Sequence, residues 1–194
     1  MTAITASSLL TLEAYARQRQ EIRSRVLAHK KRRTLHLGGH VTLLFEDETT
    51  IRYQVQEMLR IEKTFEAAGI QDELDAYNPL IPEGSNLKAT MMIEYEDPAE
   101  RARELERLLG IEHRVYVQVE GTARCYAVAD EDMPRANDSK TSAVHFLRFE
   151  IAARARALLS AGAPLVAGID HPLYHHSLDL PAATRAALLA DLAP

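Results

Sequence analysis

The sequence predicts an α+β fold: a largely antiparallel sheet packed with helices, preceded by a basic N-terminal helix. Three observations point there. Strand-like runs come in pairs with few helices between them, which favours antiparallel pairing over a doubly wound parallel sheet. One long segment from Ile51 repeats its apolar residues at helical spacing. Residues 17–33 hold eight basic residues against one acid, Glu21. A chain of 194 residues suits roughly one domain, here an N-terminal helical arm, 1–33, on an α+β body, 34–194.

Ser7 or Ser8 is placed to cap the arm helix, whose apolar stripe runs Leu12, Tyr15, Ile22 and Val26 and whose cations at Lys31–Arg33 suit a helix C-terminus. After Thr34–Leu37, the Gly38-Gly39 turn leads into a strand over Val41–Phe45. Thr49 or Thr50 then caps a helix from Ile51 to about Ala68, closed by Gly69. The turn-rich stretch Asp75–Asn86 is expected to be a long loop, and loops of that length often bind something. Ala89–Tyr95 alternates as a strand, and Asp97-Pro98 opens a helix over Ala99–Leu109. Arg114–Val119 and Ala123–Ala129 flank Glu120-Gly121-Thr122 as a hairpin. Asp130–Lys140 is a charged loop, Ala143–Ile151 a strand, Ala152–Ser160 a helix, Pro164–Gly168 a short strand and Leu180–Leu192 a terminal helix.

Composition excludes several classes. Cys125 is the only cysteine, so neither an intramolecular disulfide nor a multi-cysteine metal site is available. The N-terminus lacks the basic start and apolar run of a signal peptide, and no apolar stretch reaches membrane-span length. A cytoplasmic protein away from the membrane is expected. The net charge is −5, so the basic 17–33 segment stands against an acidic remainder. Such an arm suits a protein partner or a homo-oligomer formed through Arg17–Arg33. No aromatic series is interleaved with the cations, so nucleic acid is not expected.

The main helix carries the sharpest anomaly. At about 100° per residue, Ile51, Val55, Met58, Ile61 and Phe65 share one sector, and Glu62 falls inside it. A carboxylate facing a core must be paired, coordinated or protonated. The strand Val144–Glu150 offers partners. His145, Leu147 and Phe149 occupy one face, with Phe146, Arg148 and Glu150 on the other, as in a central strand covered on both sides. Three arrangements stay open: a Glu62–Arg148 ion pair, a divalent metal (iron, manganese or zinc) held by Glu57, Glu62, His145 and Glu150, or an acid with a raised pKa. In a ligand site, Arg60 and Arg148 would orient the carboxylates or an anion, and Tyr77 and Asn78 would close the pocket from the loop. His171 and His175 have ligand spacing only on a helix, and the segment lacks the glutamate of the metalloprotease pattern.

Several runs, in order, resemble the bacterial domain-of-unknown-function family number 3501. They are Val41-Thr42-Leu43-Leu44-Phe45-Glu46, Tyr53–Arg60, Tyr77-Asn78-Pro79-Leu80-Ile81-Pro82, Ala89–Glu94 and Val144–Phe149. The resemblance covers about residues 10–175 and implies no particular activity. It implies a genomic setting among rubrerythrin-like and iron–sulfur oxidoreductase genes. Two functional expectations follow: a non-haem metal- or small-ligand-binding protein in redox or oxidative-stress metabolism, or a non-catalytic partner or scaffold docking through the basic helix.

Overall fold

In the computed structural model, residues 3–193 are described; Met1, Thr2 and Pro194, at the ends of the expected arm and body, lie outside the described residues. Two antiparallel sheets carry the α+β fold. The first runs in the order β1 (Thr34–Leu37), β2 (Val41–Glu46), β3 (Asn86–Ile93), β7 (Val144–Glu150), β6 (Val128–Ala129). The second runs β5 (Cys125–Tyr126), β4 (Val115–Val119), β8 (Leu165–His171), β9 (Tyr174–Asp179). Period-two alternation sends Leu43, Phe45, Met91, Leu147 and Phe149 of one sheet and Val115, Val117, Ala167 and Ile169 of the other into a single core.

The sheets are joined at both ends of their strand order. On one side the chain steps from β5 to β6 through Ala127, whose N–H donates to the Val115 carbonyl at 2.9 Å. On the other, the buried Tyr174 hydroxyl of β9 donates to the Leu37 carbonyl at 2.6 Å and accepts the His40 N–H at 3.0 Å. The intervening Gly38 has φ 75°, and a Cβ there would lie 2.7 Å from the Tyr174 hydroxyl oxygen. Only glycine fits that turn.

Helices α1 (Leu12–Lys30), α2 (Glu48–Glu62) and α3 (Ala67–Tyr77) build a second, smaller core from Ile51, Val55, Leu59 and Leu74, sealed by Ile4 and Ile81. Helix α4 (Pro98–Arg107) starts on the Asp97 cap, as expected. Leu159 of α5 (Ala153–Ser160) and Leu188 of α6 (Ala182–Leu189) enter the main core.

Several boundaries differ from the sequence reading. Thr11, not a serine, caps α1, and Asp47 caps α2 by accepting the Thr50 N–H. The segment expected as one helix to Ala68 is two, because Lys63 takes a left-handed C-cap (φ 55°) and ends α2. That break puts Phe65 off the helix and lets a separate α3 form over 67–77, from the end of the expected helix into the start of the expected loop. The buried side of α2 is therefore Ile51, Val55 and Leu59, and Ile61 and Glu62 are exposed. Strand β7 is covered on one face only: His145, Leu147 and Phe149 are buried, whereas Val144 and Glu150 are exposed. The His171–His176 segment is a β8–β9 hairpin, not a helix.

One ion cluster ties the helical layer to the sheets. The Arg33 guanidinium, 4% exposed, donates to both Asp191 carboxylate oxygens at 2.6 and 2.8 Å and lies 2.9 Å from Asp47 Oδ2. His29 reaches the same Asp47 oxygen at 2.6 Å. Beside it, buried Glu46 accepts the Thr50 and Thr90 hydroxyls, and burial pushes its carboxyl above the ordinary range. Arg33→Met strands two buried carboxylates, so urea unfolding should show a loss of about 3–5 kcal/mol, largely recovered in Arg33→Met/Asp191→Leu. A single-variant loss below about 1 kcal/mol would mean the cluster is not coupled to folding.

Candidate functional site

The residues expected to form one polar site stand in five places. Glu57, on the side of α2 that meets α1, accepts the Tyr15 hydroxyl at 2.6 Å and the Arg19 guanidinium at 2.7 and 2.8 Å, with Arg60 at 3.2 Å. Arg19 holds its carboxyl down at about 2. Glu62 lies in solvent beside Glu73, whose carboxyl burial and the neighbouring Glu62 and Asp72 charges push up. Arg148 grips Glu131 with two bonds of 2.8 Å and reaches Glu150 at 2.9 Å on the outer face of the first sheet, so no Glu62–Arg148 pair forms. His145 is alone among these residues in the core. Tyr77 packs against the helical core, and Asn78 brackets Ile4, accepting its N–H at 2.9 Å and donating to its carbonyl at 3.0 Å. The pair fastens the N-terminal segment. Among the described residues, no group of three or more His, Cys, Asp or Glu is placed to hold a metal ion.

The structure gives His145 partners that sequence reasoning missed. Its ring is fully buried between Asp130, at 2.6 Å from Nδ1, and the Thr141 hydroxyl, at 2.8 Å from Nε2. The Ser142 carbonyl lies 3.1 Å from the same Nε2, and Thr141 donates onward to buried Glu112 at 2.8 Å. Asp130 takes φ 53° to present its carboxylate, an unusual conformation for a residue with a Cβ. The order Asp, His, Thr suggests nucleophile activation, but the surroundings argue otherwise. The ring is fully buried and Thr141 is only 2% exposed, so no substrate can reach the hydroxyl, which donates to Glu112. The network fastens a loop. The one sequence signal was a histidine on a core face, which demands partners. Those partners come from the turn before β4 and from both ends of the 130–141 loop, too remote to pair by spacing.

A second arrangement is open to solvent. Between α1 and α2, beside the Tyr15–Glu57 contact, lies a groove of about 700 Å³. Tyr15, Ile22 and Val26 from α1 and Tyr53 from α2 line it, with Arg25, His29, Arg32 and the Arg52–Glu48 pair at its border. His29 is engaged with Asp47, whereas Arg32 makes no ion pair among the described residues and Arg25 reaches Glu21 only at 3.9 Å. Arg25 on α1 and Arg32 in the turn just past its end both border the groove. The groove thus joins aromatic and aliphatic walls to free positive charge.

A family model described as a protein of unknown function (DUF3501) matches residues 3–192, nearly the whole chain. The chain belongs to the DUF3501 family. No curated protein matches it. This DUF3501 chain is similar to a novel protein of unknown function from Burkholderia pseudomallei K96243, known from a crystal structure at 1.90 Å resolution. The two share 55% identity and superpose with a TM-score of 0.95, over 99% of this chain and 100% of that one.

Two outcomes follow for the DUF3501 polar groups. A carboxylate held below its unfolded value, near 4.3, adds stability at higher pH that disappears as pH falls through its folded value. The Glu57 contribution should therefore be present at pH 6 and vanish between about pH 4.5 and 2. Wild type and Glu57→Gln should differ in urea midpoint at pH 6 and converge at acid pH; parallel curves would contradict the Arg19 clamp. Thr141→Val leaves Glu112 without its donor and should cost about 1–3 kcal/mol by chemical denaturation.

Proposed function

We propose that this chain is a small-ligand-binding protein whose site is the α1–α2 groove, and that the ligand is an amphiphilic anion. The observation behind the proposal is the groove itself. Its volume of about 700 Å³ falls in the range of small-molecule sites. Ile22 and Tyr53, with the buried Tyr15 and Val26 behind them, would hold an apolar body, and Arg25 and Arg32 would take a carboxylate or phosphate head. The proposal keeps the small-ligand half of the sequence expectation. The metal half loses its ligand set, because Glu57, Glu62, His145 and Glu150 stand apart. The redox setting implied by the family resemblance adds no residue to this argument.

A second reading has its own support. Arg17, Arg23 and Lys31 point away from the groove and make no ion pair among the described residues, which favours α1 also as a docking element.

Displacement of a fluorescent fatty-acid probe by dodecanoate tests the first reading. The wild-type chain should bind in the micromolar range. Ile22→Trp, which fills the groove, and Gln18→Trp, on its exposed border, should each weaken binding about 10-fold or more, a loss of roughly 1.4 kcal/mol. Arg25→Ala/Arg32→Ala should weaken the carboxylate but leave dodecanol unaffected. Probe binding that ignores all three variants would overturn the proposal.

A further inference from the structure

The three-helix layer has two surface features that neither core nor groove uses. Ile61 and Phe65, 60% and 74% exposed, project where α2 ends. Phe65 also borders an apolar depression of about 370 Å³ walled by Leu9, Leu12, Leu59 and Ile70. A large exposed ring beside a hollow of matching chemistry is a knob next to a hole, and a two-fold axis lets two copies exchange knobs.

Charge supplies the complementary half. Helix α1 lies in a stretch of eight basic residues against one acid, and its outward side carries Arg17 and Arg23, with Lys31 just past its end. Helix α3 and its approach are the reverse. From residue 64 to residue 87 there are five acids, Glu66, Asp72, Glu73, Asp75 and Glu83, and no lysine or arginine. Asp72 and Asp75 are exposed, and none of the α3 carboxylates makes an ion pair among the described residues. Both helices pack on α2. One copy therefore displays the basic surface and the acidic surface that answers it.

We infer that the helical layer is a self-association surface, on which Phe65 of each copy fills the hollow of the other while α1 of each faces α3 of the other. The inference rests on the reading of α1 as a docking element and names its occupant, a second copy of this chain. Two such contacts, related by the two-fold axis, close the assembly at a dimer. The hollow and the groove share only Leu10 in their linings, and Phe65 belongs to the hollow alone, so Phe65→Glu separates dimer formation from ligand binding.

Sedimentation equilibrium of the full chain at low salt, over a concentration series, should give a dimer. Phe65→Glu should give a monomer with an unchanged circular dichroism spectrum. The decisive measurement is a charge exchange. Arg17→Glu/Arg23→Glu and Asp72→Lys/Asp75→Lys each make both contacts repulsive, so each variant alone should be monomeric. Mixed in equal amounts, they form a heterodimer in which both contacts are again opposite in sign, and association should return. A monomeric wild type at every concentration, or a mixture that stays monomeric, overturns the inference. If, in addition, Arg17→Glu/Arg23→Glu abolishes capture of a different protein from lysate, the docking reading survives and only its occupant changes; if capture is unaffected, the docking reading falls as well.

Discussion

The helical layer is held to the sheets by an arginine taken out of water between two aspartates from distant parts of the chain. Arg33 follows α1, Asp47 caps α2, and Asp191 follows α6. Such a cluster adds little net stability compared with a well-packed apolar substitute, but it is unforgiving of partial loss. Its geometric consequence is larger than its energy. Asp47 cannot cap α2 and meet Arg33 unless α1 ends where it does. The end of α1 is therefore fixed beside the start of α2. His29 and Arg32 on one side and Glu48 and Thr49 on the other line the groove, so this junction forms one end of it.

The fold class was legible because both periods were clear. Val115, Val117 and Val119 alternate into the core, and Asp97-Pro98 starts α4 where it should. What failed was the end of a helix. A wheel drawn through Phe65 assumes unbroken geometry, whereas Lys63 adopts the left-handed conformation without a glycine to announce it. The error then spread, since the inward position of Glu62 depended on the same wheel. Strand β9 was missed for another reason: its His175-His176-Ser177 stretch is polar because it lies at an exposed edge, where apolar patterning is not required.

The polar groups divide by whether they have spent their hydrogen-bonding capacity. Glu57 and His145, both singled out from the sequence, are saturated by neighbours and hold segments together. The groove residues Arg25 and Arg32 lay in the basic segment all along, but spacing alone could not say that they overlook an apolar trough. A trough forms between two helices, and its partner wall, α2, is separated from α1 by two strands.

The Tyr174 bridge to Leu37 and His40 also bears on the edges of both sheets. Strands β1 and β9 are the long margins of their sheets, with unpaired backbone groups that would template the addition of foreign strands. By pinning the start of β9 against the β1–β2 turn, with Gly38 permitting the close approach, the phenol covers one end of each margin. The opposite margins, β5 and β6, are only two residues long each. One hydroxyl group thus covers an end of both long edges, and the polar run His175-His176-Ser177 lines the rest of β9.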